Sequence, residues 1–321
     1  MNLFDLHCDT AGECCNRNQR LFNGNLHISI CKGEKLDKWC QLFAIWIPDE
    51  LRGKDSEKYF EKVLLNFKNE ISWNESKIKL CKDFRDLEEA ENTHKCAAIL
   101  TCEGASSFAE KGRIYHAKEC GVKLITLTWN GENEIGFGCQ SGNSSGLKQA
   151  GKRLLRNMEA LNIAADVSHL NRAGFYDAVS SGAKVIASHS TCKTVLEKTR
   201  ADSEDKIFSC RRNLDDEQIK TLIECNGLIG INFCRSFLGD ENDDGFEAVY
   251  RHMAHILDMG GENILAIGSD FDGCEINPEL AGIDKMPALS AYLNRKGFGL
   301  DLIEKIFYKN AHNFFKNILQ S

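Results

Sequence analysis

The chain has 321 residues, with 40 basic and 47 acidic side chains and a formal net charge of −7. This balance, with no basic stripe along any segment, argues against nucleic acid as a partner, because a phosphate backbone would be repelled. The N-terminus lacks a basic segment followed by an apolar one, and no apolar run approaches the ~20 residues that span a bilayer. We therefore expect a cytoplasmic protein with no membrane partner.

Fifteen cysteines are scattered along the chain, an odd number without a CxxC motif. Free thiols in a reducing compartment are the simplest explanation of this pattern. We expect most of them to be buried, because a free cysteine packs as a small hydrophobic residue.

Eight short apolar runs follow one another along the chain. They are nearly continuous hydrophobic segments, as expected for parallel strands that are covered on both faces. The runs are Leu3–Cys8, Leu42–Ile47, Ala97–Thr101, Val122–Thr128, Ile163–Val167, Lys184–Ala187, Leu228–Phe233 and Ile264–Ile267.

Amphipathic stretches with helical spacing separate many of these runs. Eight strand–helix alternations predict an α/β fold, a (β/α)8 TIM-type barrel, and the absence of linkers or repeats predicts a single domain over residues 1–321. The main stretches are Ser56–Glu70, Leu147–Leu161, Arg172–Ser181, Asp215–Glu224, Phe246–Met259 and Leu300–Ile318.

Two long insertions, Asn130–Ser145 and Arg235–Gly245, each follow a predicted strand. In a barrel they would overhang the C-terminal face, where active sites lie. Solvated loops without a function are the alternative interpretation for both.

Histidines and carboxylates stand where predicted strands end. The C-terminal ends of barrel strands meet at one mouth, so residues distant in sequence can share a site. These residues are His7, Asp9, Glu103, His169, His189, Asp270 and Asp272.

This mixture of imidazoles and carboxylates suits zinc or a similar divalent ion. Two ions bridged by a carboxylate, for which Glu103 is the natural candidate, would hold an attacking hydroxide and polarise a carbonyl. Taken singly, each residue has a plainer explanation; Asp270–Gly273, for example, could be a turn in which Gly273 supplies a positive φ. The remaining histidines are expected to be structural or surface residues: His27, His94, His116, His252, His255 and His312.

An ordered set of short motifs resembles the renal (membrane) dipeptidase family of zinc peptidases, which have amidohydrolase-like barrels. The resemblance covers essentially the whole chain. Its motifs are Asp5–Thr10, Glu103-Gly104, Leu124–Asn130, Asp166–His169, Ser188–Ser190, Arg211–Leu214, Asn232-Phe233 and Gly268–Gly273.

The resemblance implies a ligand set for two divalent ions, expected to be Zn²⁺. His7 and Asp9 would bind one ion. His169 and His189 would bind the other, and Glu103 would bridge the two.

The resemblance also implies roles in dipeptide hydrolysis. Arg212 would hold the carboxylate of the substrate, since a guanidinium suits a bidentate partner. A hydroxide between the ions would attack the scissile carbonyl, and the catalytic residue Asp270 would pass its proton to the leaving amine. The family also suggests a homodimer.

Two positions depart from the family pattern. Trp129 replaces a histidine that is thought to stabilise the tetrahedral oxyanion, and Cys234 replaces a tyrosine that follows the Asn-Phe motif. We also expect this protein to lack the secretory signal and the lipid-anchor tail of the mammalian members.

Two rival hypotheses follow from these observations. The barrel could be another binuclear-metal hydrolase, acting on a lactone, a cyclic amide or a phosphoester, because the fold alone does not fix the substrate. It could also be a catalytically inactive barrel that serves as a binding protein, for which Trp129 is the main argument.

Overall fold

A computed structural model describes residues 1–240 and 243–320. Within these residues, nine parallel strands form one sheet. The strands are β1 (Asn2–Cys8), β2 (Lys38–Trp46), β3 (Ile78–Leu80), β4 (Cys96–Glu103), β5 (Val122–Thr126), β6 (Ala164–Asp166), β7 (Val185–Ser190), β8 (Ile229–Ile231) and β9 (Leu265–Ile267).

Eight of these strands close into a barrel. Neighbours run in the order β2, β1, β9, β8, β7, β6, β5 and β4, and β2 then pairs with β4 to complete the circle. The closing register is regular, from Trp39 opposite Cys96 to Trp46 opposite Glu103. The (β/α)8 TIM-type prediction is therefore confirmed.

The ninth strand, β3, was not predicted. It pairs with the first residues of β4, from Cys96 to Ala98, whereas β5 pairs with the second half of β4. With only three residues, one of which is Lys79, β3 carries no apolar run that a sequence pattern could detect.

The helices cover the outside of the barrel. The predicted helices Ser56–Glu70, Asp215–Glu224 and Phe246–Met259 coincide with helices to within a few residues at each end. The helices are α1 (Thr10–Asn16), α2 (Ile30–Gly33), α3 (Gly53–Trp73), α4 (Phe84–Asn92), α5 (Arg113–Cys120), α6 (Gln149–Ala160), α7 (Arg172–Val179), α8 (Lys193–Thr199), α9 (Glu204–Arg212), α10 (Asp216–Glu224), α11 (Arg235–Leu238), α12 (Gly245–Asp258), α13 (Met286–Arg295), α14 (Leu300–Glu304) and α15 (Asn310–Leu319).

The last predicted helix, Leu300–Ile318, is divided. A π-helical turn, Lys305–Lys309, joins α14 to α15. Two 3₁₀ turns, Ala105–Phe108 and Ile283–Lys285, complete the helical segments of the described chain. None of the helices within residues 1–240 and 243–320 combines the length and apolar character that crossing a membrane requires.

The C-terminal helix α15 closes the N-terminal end of the barrel. Alternate residues of β1, Phe4 and Leu6, point into the barrel, where they join a buried cluster with Phe315 and Ile318 of α15. The rings of Phe4 and Phe315 stack with centroids 5.4 Å apart. Because this end is filled with apolar side chains, a polar site must lie at the opposite, C-terminal end.

Two buried carboxylates brace the strands that carry the polar residues. Asp5 on β1 accepts hydrogen bonds from Ser269 Oγ at 2.6 Å and Gln41 Nε2 at 2.9 Å. Asp166 on β6 accepts from Ser188 Oγ and Ser188 N at 2.6 and 2.9 Å. These bonds cross between strands, so they fix the relative heights of the strand ends.

Candidate active site

The seven residues that the sequence predicts for the site converge at the C-terminal end of the barrel. Five strands or the turns directly after them supply six residues, and α9 supplies the seventh, Arg212. All of them are buried except Asp9, which is partly exposed. The residues are His7, Asp9, Glu103, His169, His189, Arg212 and Asp270.

Glu103 lies at the centre of this cluster. Its Oε1 is 2.8 Å from His169 Nε2 and 3.4 Å from His189 Nε2. Its Oε2 is 3.7 Å from His7 Nε2. The two oxygens therefore face two separate sets of imidazoles, which is the arrangement that a bridging carboxylate requires.

His7 is surrounded by carboxylates. Its Nε2 lies 3.5 Å from Asp9 Oδ2 and 3.9 Å from Asp270 Oδ1. Donor atoms of His7, Glu103 and His189 lie within 4.8 Å of one another, as do those of His7, Asp9 and Asp270. Both groups are compact enough to hold a metal ion.

Two buried donor atoms fit a metal better than they fit a hydrogen-bonded structure. His7 Nε2 and Asp9 Oδ1 are buried and have no hydrogen-bond partner among the described residues. A buried polar atom without a partner costs roughly 1–3 kcal/mol. A coordinated cation would satisfy both atoms, so the residues present fit a divalent metal.

Hydrogen bonds orient the histidines toward Glu103. Asn130 Oδ1 lies 2.8 Å from His169 Nδ1, and Ser188 Oγ lies 2.7 Å from His189 Nδ1. Since Ser188 donates its own proton to Asp166, it accepts one from His189. Each ring therefore carries its proton on Nδ1, which leaves the Nε2 lone pair facing the cluster.

Neither orienting residue had a role predicted from its position in the sequence. Asn130 and Ser188 stand inside motifs that resemble the dipeptidase family, and Ser188 directly precedes His189. Their positions beside predicted ligands were the only available signal, because a hydrogen bond across strands cannot be read from spacing.

Burial and neighbouring charges shift the pKa values of the residues in this cluster. Burial disfavours protonation of His7, but the surrounding carboxylates, Glu103 foremost, outweigh it and raise the pKa of His7 to about 10. Burial raises the pKa of Glu103 well above its ordinary value and lowers the pKa values of His169 and His189. A bound cation would take over the role of the His7 proton and favour the carboxylate forms.

Arg212 lies beside the imidazoles and is only 2% exposed. Its Nη2 donates to the backbone oxygen of His189 at 2.8 Å and lies 3.1 Å from His169 Nε2. Its Nη1 donates to Ser190 Oγ at 3.1 Å, and the face of its guanidinium is 5.5 Å from the Phe237 ring. Its Nε is buried and has no hydrogen-bond partner in the described chain.

Asp270 is held by its neighbour Asn232, whose Nδ2 donates to Asp270 Oδ2 at 2.9 Å. Burial raises the pKa of Asp270. The alternative interpretation of Asp270–Gly273 placed a positive φ at Gly273, but Asp270 and Asp272 adopt the positive φ values, 60° and 68°. Glycine is required at 273 for space, since a Cβ there would lie 2.1 Å from Asp9 Oδ2.

The two insertions reach the mouth of the site. Asn130 from the first insertion and Phe237 from the second line a pocket of about 220 Å³, together with Glu103 and Asp270. The second insertion contains Glu241 and Asn242, which lie outside the described residues. The interpretation that both insertions are loops without a function is not supported by this placement.

The two departures from the family pattern also face the pocket. Trp129 packs edge-on against Trp46, with ring centroids 5.1 Å apart, and lies 6.3 Å from the His169 ring. Cys234 also lines the pocket. Trp129 thus adds an indole to the pocket wall.

Comparison with known proteins agrees with this geometry. The sequence profile of the membrane dipeptidase family (peptidase family M19) matches residues 1–320. The chain belongs to the membrane dipeptidase family. Membership identifies it as a metal-dependent dipeptidase, and the cluster around Glu103 is its candidate metal centre.

Similar sequences come from bacteria and fungi. An uncharacterised protein encoded 5′ of pqqA in Klebsiella pneumoniae is 28% identical over 261 residues, which cover 78% of this chain and 92% of that protein. The dipeptidase tcpJ of Claviceps purpurea is 26% identical over 226 residues, covering 68% of this chain and 50% of that protein.

Solved structures share the fold of this dipeptidase family member over its full length. A metallopeptidase of the same family, dipeptidase AC, superposes with a TM-score of 0.89 at 24% identity, covering 100% of this chain and 99% of the other. A metallopeptidase from Rhodobacter sphaeroides, bound to a phosphinate mimic of L-Ala-D-Ala, superposes with a TM-score of 0.88 at 23% identity, covering 98% and 99%.

Proposed function

We propose that this family member hydrolyses dipeptides with two zinc ions held by the cluster around Glu103. His7 and Asp9 would bind one ion. His169 and His189 would bind the other, and Glu103 would bridge them. The observation that carries the proposal is the division of the Glu103 oxygens, Oε1 toward His169 and His189 and Oε2 toward His7.

When bound, zinc lowers the pKa of a water molecule toward ~7 and polarises a carbonyl oxygen, so the reaction needs no side-chain nucleophile. The residues of the chain supply the remaining parts. The carboxylate of the dipeptide would bind Arg212, whose buried Nε lacks a partner among the described residues. That contact would fix the scissile carbonyl over the metal centre.

Asp270 would transfer the proton. Its Oδ1 lies 3.9 Å from His7 Nε2, and Asn232 holds its Oδ2, so one oxygen faces the cluster and the other is anchored. Burial raises its pKa, which brings the carboxyl closer to the range in which it can both accept and release a proton near neutral pH. It would take the proton of the attacking water and deliver it to the leaving amine.

The test of this proposal compares free dipeptides with dipeptide amides, which lack the terminal carboxylate. Wild type is expected to prefer the free dipeptide. Arg212→Ala should raise KM for the free dipeptide by roughly 10- to 100-fold, which corresponds to the loss of a charge-assisted hydrogen bond. KM for the dipeptide amide should not change. The exposed neighbour provides the matched control, Arg211→Ala, which should change neither substrate.

Two outcomes would contradict the proposal. A metal-loaded protein that cleaves lactones or phosphoesters but no dipeptide would favour the rival hydrolases. An Arg212→Ala protein that still discriminates dipeptides from their amides would remove Arg212 from carboxylate recognition.

A further inference from the structure

Two cysteine thiols are in contact at the wall of the active-site pocket. Cys234 follows β8 and Cys274 follows β9, and both line the pocket beside Asp270. The residues that follow them are joined, since Arg235 N donates to the backbone oxygen of Glu275 at 2.9 Å. The two segments are also joined by an antiparallel bridge between Cys234 and Ile276.

We propose that Cys234 and Cys274 are a redox modification site, at which oxidation forms a reversible disulfide that lowers the turnover of the dipeptidase. The effect on turnover rests on the proposed function; the formation of the bond does not. The co-reactant is a low-molecular-weight disulfide of the glutathione type.

The chemistry is two successive thiol–disulfide exchanges. The Cys234 thiol loses its proton and attacks one sulfur of the oxidant, whose S–S bond breaks and releases one small thiolate. The Cys274 thiol then loses its proton, attacks the Cys234 sulfur and displaces the second small thiolate. Two protein thiols are oxidised to one disulfide, one small disulfide is reduced to two thiols, and the two protons pass to the released thiolates.

The contact between the thiols favours this pair over the other cysteines. The neighbouring Cys274 side chain lowers the pKa of Cys234, which favours the attacking thiolate. Burial raises the pKa of most other thiols, such as Cys40 and Cys96, well above the ordinary value. The adjacent residues Cys14 and Cys15 lie on α1, and neither is among the residues that line the pocket.

A disulfide here would act on the proton-transfer group. The sulfurs must approach to about 2.05 Å, which draws the segments after β8 and β9 together. Cys234 N donates to Asn232 Oδ1 at 2.6 Å, and Asn232 in turn holds Asp270 Oδ2. Cys274 Sγ donates to the backbone oxygen of Asp270 at 3.6 Å. Both ends of the new bond are therefore coupled to Asp270.

Peptide mapping tests whether the bond forms. Trypsin would release Cys234 within residues 221–235 and Cys274 within residues 252–285. The first peptide also contains the exposed Cys225, so the experiment uses the full chain with Cys225→Ser. After oxidised glutathione we expect the two peptides to be linked, and after a phosphine reductant we expect them to separate.

Turnover of the same zinc-loaded samples tests the consequence. Oxidation should lower kcat on the order of 10- to 100-fold, as expected for a displaced catalytic group, and reduction should restore it. In Cys234→Ser and in Cys274→Ser, the ratio of oxidised to reduced kcat should stay near one. Cys15→Ser is the matched control and should respond as the parent does.

Two results would overturn the inference, namely the absence of the linked peptide and a linked peptide with unchanged kcat. A reduced protein that cleaves no dipeptide would contradict the proposed function instead. The linked peptide would still decide whether the disulfide forms.

Discussion

At the scale of single residues, backbone conformation and function coincide at Asp270. Its φ of 60° lies in the left-handed region, which aspartate and asparagine tolerate better than most residues. The carboxylate is thereby turned toward His7 while Asn232 holds its second oxygen. An asparagine could keep this conformation and lose only the ability to carry a proton.

We therefore expect Asp270→Asn to lower kcat on the order of 10²- to 10⁴-fold, the usual contribution of general acid–base catalysis. KM for a dipeptide should change little, because Arg212 remains in place. Steady-state kinetics and metal analysis of the same sample provide the measurement. Unchanged kcat would remove Asp270 from the mechanism, and loss of one ion would show that it is a ligand.

The ligand candidates could be predicted from the sequence because each follows a recognisable strand and because parallel strands end at one face. Arg212 could not be predicted in this way. It lies on α9, away from any strand end, and only the family resemblance singled it out. The contact between Cys234 and Cys274 has no sequence signal at all, since it joins two turns of different strands.

At the scale of elements, α12 is tied to the mouth of the barrel by a buried histidine. His252 Nδ1 accepts a hydrogen bond from Cys192 N at 3.0 Å, and its Nε2 donates to the backbone oxygen of Leu238 at 2.9 Å. Burial lowers the pKa of His252 to about 4. The neutral ring thus joins α12 to the segments before α8 and within α11.

This shift predicts how stability depends on pH. The unfolded chain binds a proton at His252 near pH 6.5, whereas the folded chain does so only near pH 4. The neutral His252 ring therefore makes its full contribution to the free energy of unfolding above pH 6.5. It is lost as the pH falls from 6.5 to 4. Between pH 7 and pH 5, the free energy of unfolding should decrease by about 2 kcal/mol from this group alone.

Urea unfolding of wild type and His252→Asn at both pH values measures this contribution. The variant keeps an acceptor near Cys192 N but cannot titrate, so it should be less stable at pH 7 and nearly equal to wild type at pH 5. A difference between the two proteins that does not change with pH would contradict the assignment.

The elements themselves were predicted unevenly. Long amphipathic stretches such as α3 were recognised, because their apolar faces repeat over several turns. The π-helical turn Lys305–Lys309 was not, since it continues the same pattern as its flanking helices. The short strand β3 escaped because three residues carry no periodicity.

At the scale of the whole molecule, the candidate ligands come from strands that are not neighbours in the barrel. His7 belongs to β1, Glu103 to β4 and His189 to β7, and the closed order places one or two other strands between each pair of these three. Ions bound to these three residues would link their strands directly, whereas backbone hydrogen bonds link those strands only through the strands between them. Single-domain organisation and a homodimer remain predictions.

Metal removal should therefore lower the stability of the whole barrel. Ions that bind the folded chain alone at a thousandfold excess over Kd contribute about 4 kcal/mol per site. Chelation should then lower Tm by more than about 5 °C, and zinc should restore it. Differential scanning calorimetry with elemental analysis is the measurement, with two ions per chain expected in the restored sample.

Two variants separate this effect from a general weakening of the fold. Glu103→Gln should lose most of the difference between zinc-loaded and chelated protein, because the bridging charge is gone. Glu91→Gln alters another buried carboxylate, which pairs with Lys38 at 3.0 Å outside the candidate site. This variant should have a lower Tm than wild type but the same difference in Tm between zinc-loaded and chelated protein. A chelator that removes the ions and leaves Tm unchanged would show that they do not join the strands of the barrel.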